Sequence, residues 1–518
     1  MEKINFVNIV MLEHAGVEGL KEFYINIFNQ LGYQANINVI AGKENSKYDG
    51  NKSIFSEEVV DVFICDLSLG DEDADNWEGL SIIQKVKRDY PDLLTIANSR
   101  TNISYAVTAR KIPSFDLFVH KSKIYDKKYA AFILEKIKTL FKRNIALNVD
   151  FGKSTISSAF SSAKNRLEIV NMLRTITFTA HSSDISTAVS DVYLLPLEGG
   201  MSKSETYRLY SLAANGLQCV NAALKISPRE AAIREIENYN NYVKWYLPYT
   251  WRAELLGSAL TKNYGAICYS FAYNDDVPFN SLTYHIKNKN DEKILYAIEN
   301  IFKPSYQRWY HRENVKDANG ITGHYHSKWF AERADPEPQF RKILKEYDLS
   351  RSDVVVIDGM RYPMPGGYLL GISRNKFKTC ICHGDLNSNN ILISDNDYLI
   401  FIDFQDTGRG HVFEDFVVFE TSIRLHYKTD IPFLELLHCE YSLIKENGSC
   451  DFPCKELILK IRQYAFKNFD DNVLNYYYSL ALNTYRLLKN ENHERWQQEQ
   501  LTACLLASIR HLSESRYV

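Results

Sequence analysis

The first part of the chain alternates short apolar runs with segments whose apolar residues recur every three to four positions. The runs are rich in Val, Ile and Phe and predict buried strands at residues 6–12, 59–65, 93–97 and 115–119. Helical spacing occurs between and after them, at residues 17–31, 80–86 and 130–141. Because strands that alternate with helices form a parallel sheet covered on both faces, residues 1–143 are predicted to form a doubly wound α/β domain.

The pattern changes after this domain. Residues 144–190 begin with a Ser-, Asn- and Lys-rich stretch to residue 162, which predicts a linker, and continue with a helix at 166–176. Further strands and one helix are predicted at residues 191–196, 206–212, 221–226, 229–243 (the helix) and 264–271. Most later segments have helical spacing, and a Pro-Gly cluster at 362–367 predicts a loop. We therefore expect a strand-rich lobe at 191–272 and a larger, mostly helical lobe at 273–518.

Composition limits the function classes. A chain of 518 residues is too long for one ordinary core, and its 45% apolar and 24% charged residues are typical of a globular protein. A net charge of −3 predicts neither a nucleic-acid surface nor a membrane surface. The apolar runs are too short to span a bilayer, and the start Met1-Glu2-Lys3 indicates no signal peptide, so a cytoplasmic protein is expected.

The cysteine pattern points the same way. Nine cysteines are spread thinly over the chain, which favours reduced thiols. Neither the Cys380-Ile-Cys382-His383 segment nor the group of Cys439, Cys450 and Cys454 has convincing zinc spacing, so buried or incidental thiols are expected. An aromatic- and His-rich stretch at 309–327 also lacks zinc spacing. It is interpreted as a packed or surface segment, with the lining of an acceptor pocket as the alternative.

Polar residues follow three of the N-terminal strands. Asp66 ends one strand, Ser99 lies just past the next, and Lys121 follows the last. In parallel sheets the carboxyl ends of the strands share one edge, where ligands bind. The order Asp, Ser, Lys resembles the receiver domain of two-component response regulators, whose fold is flavodoxin-like.

That resemblance implies that Asp66 accepts a phosphoryl group, that Ser99 senses it and that Lys121 pairs with it. Receivers hold Mg²⁺ with an acidic pair after the first strand. Here only Glu13 of that pair is acidic, because His14 follows it, so Glu13 and Asp66 are the implied ligands. Ser122 also replaces the usual Pro after the Lys. The partner would be a histidine kinase or another signalling protein, and the alternative is a module used only for docking or dimerisation.

A Gly-rich turn and a buried Lys mark the strand-rich lobe. Gly199, Gly200 and Ser202 join two predicted strands, and such a turn lets backbone N–H groups approach phosphate oxygens. Lys225 interrupts an apolar strand, which is costly unless its ammonium finds partners. Among the acidic residues of the following helix, at positions 230, 235 and 237, Glu235 is chosen as that partner.

The most informative segment runs from His383 through Asp385 to Asn390 and continues, after the short strand 398–402, to Asp403. It places a carboxylate and an amide five residues apart on one loop and a second carboxylate at the end of a strand. Phosphoryl transfer from a metal-bound nucleotide uses this combination, since one carboxylate orients the attacking hydroxyl and the other groups hold Mg²⁺.

The order His-x-Asp-x₄-Asn, strand, Asp resembles the phosphotransfer loop of the aminoglycoside phosphotransferase and choline kinase superfamily, a variant of the protein-kinase-like fold. The Gly-rich turn resembles its nucleotide-positioning loop. The resemblance implies ATP and Mg²⁺ as cofactors, Asp385 as the hydroxyl-orienting base, and Asn390 and Asp403 as metal ligands. It also implies that Lys225, paired with Glu235, contacts the phosphates. His383 is expected to brace the loop, and Asp415 to act as a structural clamp.

The sequence therefore predicts an α/β chain with an N-terminal doubly wound parallel sheet and a bilobal, protein-kinase-like α+β domain. The predicted function is phosphoryl transfer from ATP to a hydroxyl of a small molecule or a protein, regulated or docked through the receiver-like domain. A nucleotide-binding pseudokinase scaffold and a nucleotidyl-transferring relative are the alternatives, and a homodimer is compatible with each. No dense acidic cluster selects an aminoglycoside as the acceptor.

Overall fold

The protein is described from a computed structural model. The described residues are 6–13, 17–41, 55, 58–67, 78–100, 115–151, 160, 162–180, 189–197, 204–213, 215–270, 279–303, 310, 314–316, 320–330, 335–351, 354–371, 376–445, 450 and 452–515. The chain divides into two compact units, Met1–Ile236 with Glu254–Phe271, and Glu237–Ala253 with Ala272–Val518. The predicted domain boundaries at residues 143, 190 and 272 stay predictions.

The first unit begins with a five-stranded parallel sheet in the order β2-β1-β3-β4-β5. Helices α1 and α3 pack on one face of this sheet and α2 packs on the other. Every residue of β3 and β4 is buried, which explains their continuous apolar sequences. The elements are β1 (Phe6–Glu13), α1 (Val17–Gln30), β2 (Gln34–Ala41), β3 (Val62–Asp66), α2 (Glu78–Asp89), β4 (Leu94–Ser99), β5 (Leu117–His120) and α3 (Lys127–Leu140). The predicted N-terminal parallel sheet is confirmed.

A second sheet of six strands, in the order β10-β11-β9-β8-β7-β6, completes the first unit. Its neighbours are antiparallel except for the parallel pair of β6 and β7. The strand β6 lies within the predicted linker and was missed because two residues show no periodicity. The elements are β6 (Asn148–Val149), α4 (Ala163–Ala180), β7 (Val189–Pro196), β8 (Glu205–Ala213), β9 (Gln218–Pro228), α5 (Arg229–Asn238), β10 (Leu255–Leu260) and β11 (Tyr264–Ser270).

The second unit is mostly helical, and its described strands form three small three-stranded sheets. A π-helical turn, Tyr239–Val243, comes first. The α-helices and strands from there to residue 363 are α6 (Lys244–Tyr246), β12 (Phe279–Ser281), α7 (Leu282–Lys287), α8 (Asp291–Ile301), β13 (Asn314–Lys316), α9 (Gly320–Tyr325), α10 (Glu337–Glu346), β14 (Ser350–Arg351), β15 (Val354–Ile357) and β16 (Met360–Pro363). The remaining elements are α11 (Pro365–Gly371), β17 (Phe377–Cys382), β18 (Ile391–Ser394), β19 (Leu399–Phe401), β20 (Gly408–His411), α12 (Glu414–His426), α13 (Phe433–Ile444), α14 (Lys455–Asn468), α15 (Val473–Leu487) and α16 (Arg495–Glu514).

Two predictions about the second unit were wrong. The Pro-Gly cluster at 362–367 is not a loop, because β16 ends in it and α11 begins at Pro365. Proline is well tolerated in the first turn of a helix, where its missing N–H leaves no hydrogen bond unmade. The thiols are also not all reduced, since Cys439 and Cys450 form a disulfide with their Cα atoms 5.4 Å apart. Among the described helices, none is long and apolar enough to cross a membrane.

Helix α12 forms the centre of the second unit, and a buried ionic cluster holds it to its neighbours. Glu420 on α12 accepts hydrogen bonds from Arg424 at 2.8 Å, from Arg462 on α14 at 2.8 and 3.1 Å, and from the Tyr476 hydroxyl on α15. Arg424 also donates to Glu440 on α13 at 2.7 and 2.9 Å. Although burial opposes ionisation, Arg462 and Arg424 lower the pKa of Glu420. The cluster therefore joins four helices, α12, α13, α14 and α15, through side-chain hydrogen bonds.

We predict that Glu420→Gln destabilises the second unit by about 3–5 kcal/mol, because it leaves two buried guanidinium groups without their shared carboxylate. Denaturant unfolding of the full chain would measure the loss. Glu435→Gln, at an exposed position on α13, is the matched control and should leave the unfolding midpoint unchanged. Equal midpoints for the two variants would contradict a stabilising role for the cluster.

Candidate functional site

The loop after β17 brings Asp385 and Asn390 together. It ends in a 3₁₀ turn, Ser388–Asn390, that leads directly into β18. The Asn390 Nδ2 donates to the backbone oxygen of Asp385 at 2.8 Å and to its Oδ2 at 3.3 Å. Since the amide nitrogen is directed at Asp385, the Oδ1 of Asn390 is the atom left for a cation. Within the described part of the chain, no hydrogen-bond donor reaches that Oδ1.

Asp403 is placed beside this loop by the hairpin of β18 and β19. The N–H of Ile402 donates to the backbone oxygen of Asn390 at 3.0 Å, so the residue before Asp403 is tied to the end of the loop. Asp403 itself adopts a left-handed backbone conformation with φ of 63°. This conformation costs energy for any residue with a Cβ, and such strain is concentrated at functional sites.

Negative charge accumulates at this site. Loss of solvation raises the pKa of Asp406, Lys328 opposes the rise, and repulsion from Asp385 and Asp403 adds to it. The carboxylates of Asp385 and Asp403 are therefore both close enough to repel the Asp406 carboxylate. No cluster of three or more His, Cys, Asp or Glu side chains able to hold a metal by itself occurs in the described ranges. Mg²⁺ commonly binds to one or two carboxylates, waters and substrate phosphates, so Asn390 and Asp403 fit Mg²⁺ that arrives with a nucleotide.

The buried carboxylate of Asp415, on α12, holds the start of the loop. It accepts hydrogen bonds from the backbone N–H of His383 at 2.8 Å, from that of Gly384 at 2.9 Å and from the Tyr310 hydroxyl at 2.8 Å. The His383 ring is fully buried, and its Nε2 lies 3.0 Å from the backbone oxygen of Ile402. Both contacts fit the predicted roles, with Asp415 as a clamp and His383 as a brace.

Sequence analysis missed several residues that support the site. The Asn387 Nδ2 donates to the Asp385 carboxylate at 3.0 Å and fixes its orientation. Glu414, fully buried, contacts His324 at 3.0 Å and forms an ion pair with Lys328. Although burial opposes ionisation, Lys328 and His324 lower the pKa of Glu414 to about 2. Asn387 carried a local signal, as Asn often bonds to nearby backbone in turns. The Glu414 contacts join distant segments and carried none.

In the first unit, Lys225 on β9 forms an ion pair with Glu235 on α5. Their Nζ and Oε2 atoms are 2.8 Å apart, and the Tyr269 hydroxyl donates to the other carboxylate oxygen at 2.9 Å. Glu235 is completely buried, whereas Glu230 is exposed. The structure thus identifies Glu235 as the partner of Lys225. The predicted Gly199, Gly200 and Ser202 lie outside the described residues.

The carboxyl edge of the parallel sheet gathers the other predicted polar residues. Lys121 lies 2.6 Å from Asp66 and forms a second ion pair with Glu13. Burial, followed by the hydrogen bond and repulsion from Asp66, raises the pKa of Glu13 to about 7 against the opposing effect of Lys121. Ser99 ends β4 at the same edge and is buried. The structure therefore brings Glu13, Asp66 and Lys121 into direct contact and places Ser99 on the neighbouring strand.

Part of the chain matches a known protein family. Residues 325–425 match the phosphotransferase enzyme family. The matched segment contains His383, Asp385, Asn390, Asp403 and Asp415. This match confirms the predicted enzyme class, a phosphotransferase, and agrees with ATP and Mg²⁺ as its cofactors. No curated protein matches the chain significantly.

Solved kinase structures are similar at low identity. An aminoglycoside phosphotransferase from Streptomyces rimosus is 13% identical, with 52% of this chain and 92% of that one covered and a TM-score of 0.26. An amicoumacin kinase bound to AMP-PNP and Ca²⁺ is 11% identical, with 62% and 88% covered and a TM-score of 0.31. A Plasmodium vivax ethanolamine kinase is 13% identical, with 62% and 83% covered and a TM-score of 0.28. Such low TM-scores say nothing about this chain's substrate.

We predict that Gly384→Ala abolishes phosphotransferase activity and lowers the free energy of unfolding by at least about 1–2 kcal/mol. Gly384 has a φ of 83°, and an added Cβ would lie 2.1 Å from the backbone oxygen of Asp406. Gly371→Ala is the matched control, since nothing lies within 4 Å of its added Cβ. Retained activity in the Gly384 variant would show that the loop tolerates another backbone conformation.

Proposed function

We propose that this protein transfers the γ-phosphoryl group of ATP to a hydroxyl group of a small molecule or a protein. The observation that carries the proposal is the joined loop and hairpin, in which Asn390 bonds to Asp385 and the neighbour of Asp403 bonds to Asn390. The family match at residues 325–425 supports the same reaction class.

Asp385, Asn390 and Asp403 would have separate roles in the transfer. Asp385 would accept a hydrogen bond from the acceptor hydroxyl and orient its oxygen, whose new bond to the γ-phosphorus forms as the bond to the β,γ-bridging oxygen breaks. The hydroxyl proton would pass to Asp385, and ADP would leave. Asn390 and Asp403 would hold Mg²⁺, which neutralises phosphate charge when it is bound.

The first unit would contribute to nucleotide binding. Lys225 would contact the α- and β-phosphates, and its ion pair with Glu235 would fix its orientation. Gly199, Gly200 and Ser202 would supply backbone donors to the phosphates. Lys225 is only 7% exposed, so the protein has already removed most of the water around its side chain. A buried cation of this kind interacts strongly with phosphate.

We further propose that the parallel sheet is a receiver-like module that regulates the enzyme or docks it to a partner. Support comes from the contact of Lys121 with Asp66 and Glu13 at the carboxyl edge of the sheet. Asp66 would accept a phosphoryl group, with Glu13 and Asp66 as ligands of the Mg²⁺ that assists. A histidine kinase or another signalling protein would be the partner, and a homodimer would form through this module.

We predict that Asp403→Ala reduces phosphoryl transfer by at least about a hundredfold, because it removes a carboxylate ligand of Mg²⁺. Purified full-length protein would be incubated with Mg²⁺, γ-labelled ATP and a panel of hydroxyl acceptors, and product masses would be recorded. Asp395→Asn, an exposed position on the same hairpin, is the matched control and should keep full activity.

The outcomes separate the candidate functions. Transfer that survives Asp403→Ala would contradict the assignment of this residue. Tight nucleotide binding by the wild-type protein without transfer to any acceptor, including itself, would favour a pseudokinase scaffold. A product heavier by AMP instead of phosphate would identify nucleotidyl transfer.

A further inference from the structure

Arg229 is the first residue of α5, the helix that carries Glu235. A positive side chain at a helix N-terminus opposes the helix dipole, so local helix energetics do not favour arginine there. Its guanidinium instead reaches three backbone carbonyl groups outside the helix. Nη2 donates to Arg88 at 2.6 Å, and Nη1 donates to Asp89 at 2.7 Å and to Thr261.

These acceptors belong to two other elements of the first unit. Arg88 and Asp89 are the last residues of α2. In any α-helix, the last four carbonyl groups accept no hydrogen bond from the helix itself. Thr261 follows β10 in the turn to β11. Arg229 thereby caps the C-terminus of α2 with a cation, which favours that end of the helix dipole. One side chain joins the parallel-sheet module, the six-stranded sheet and α5.

The same turn is fixed from two further directions. Asp92, just after α2, accepts from the N–H of Leu260 at 2.9 Å. Glu168 on α4 accepts from the Thr261 hydroxyl at 2.5 Å and from Asn263 at 2.5 and 3.2 Å. The N–H of Arg229 in turn donates to the backbone oxygen of Asn263 at 2.9 Å. These hydrogen bonds hold the turn in place, and Arg229 joins the start of α5 to it.

We propose that Arg229 is a positioning residue for the Lys225–Glu235 pair, which it connects to helix α2 of the parallel-sheet module. Glu235 lies six residues, less than two turns, after Arg229 on the same helix, so fixing the first turn also fixes the height and rotation of Glu235. Lys225 then holds the orientation that phosphate binding needs. This inference rests on the proposed function, since it gives the ion pair a nucleotide to bind.

A double-mutant cycle tests whether Arg229 acts through Glu235. Arg229→Met and Glu235→Gln would be made singly and together in the full chain, and Kd for ATP with Mg²⁺ and kcat/KM for ATP would be measured. In the wild-type background, we expect Arg229→Met to raise Kd about tenfold and to lower kcat/KM about tenfold. In the Glu235→Gln background the further loss should be no more than about twofold, since residues that act as a unit are not additive.

Two further variants separate positioning from general stability. Arg234→Met removes an exposed arginine from the same helix and should leave Kd and kcat/KM unchanged. Arg229→Lys keeps the charge but loses the planar fork that reaches several carbonyl groups, so it should restore only part of the lost affinity. Thermal unfolding of each variant would identify any that fail to fold, and Arg229→Lys then serves in the cycle.

The results distinguish this inference from the proposed function. Losses that multiply across the cycle in an active enzyme would overturn the positioning role and leave phosphoryl transfer intact. Wild-type protein that binds ATP without transferring phosphate would overturn the proposed reaction, while a non-additive cycle in Kd would still support Arg229. Wild-type protein that does not bind ATP would overturn both.

Discussion

The candidate site depends on one buried carboxylate. Asp415 binds two consecutive backbone N–H groups, those of His383 and Gly384, and so fixes the turn from which the rest of the loop extends. This contact holds the left-handed backbone of Gly384 in place, and the loop then brings Asp385 within hydrogen-bond distance of Asn390. Burial raises the pKa of Asp415, because it removes the water that would otherwise solvate the carboxylate. The backbone donors and the Tyr310 hydroxyl supply that solvation instead.

Parallel-strand topology organises the other charged site in the same way. The edge of the sheet collects Glu13 from β1 and Asp66 from β3, and Lys121 compensates for the charge of both. Helix α2 begins against this edge, since a Cβ on Gly79 would lie 1.8 Å from the Asp66 backbone oxygen. It ends at Arg229. A single helix therefore spans the distance from the acidic edge to the start of α5.

Features encoded within a few adjacent residues could be predicted from the sequence. The apolar runs of β1, β3 and β4 and the spacing of Asp385, Asn390 and Asp403 are of this kind. Strand β2 lies at the edge of the sheet and alternates polar and apolar residues, so it was missed by a prediction that relied on continuous apolar runs. The ion pair of Lys328 with Glu414 joins residues 86 positions apart, and the disulfide joins Cys439 to Cys450. No periodicity or motif encodes such pairings, because they depend on how separate elements pack.

The packing of α4 has a practical consequence for dissecting the protein. Ile169, Met172, Leu173 and Ile176 of this helix lie in the same hydrophobic core as the inner residues of β7, β8 and β9. A chain shortened to start at residue 191, as the lobe pattern alone would recommend, would expose that apolar face of the six-stranded sheet to water. Such a fragment should aggregate, so activity measured on it would not describe the intact enzyme.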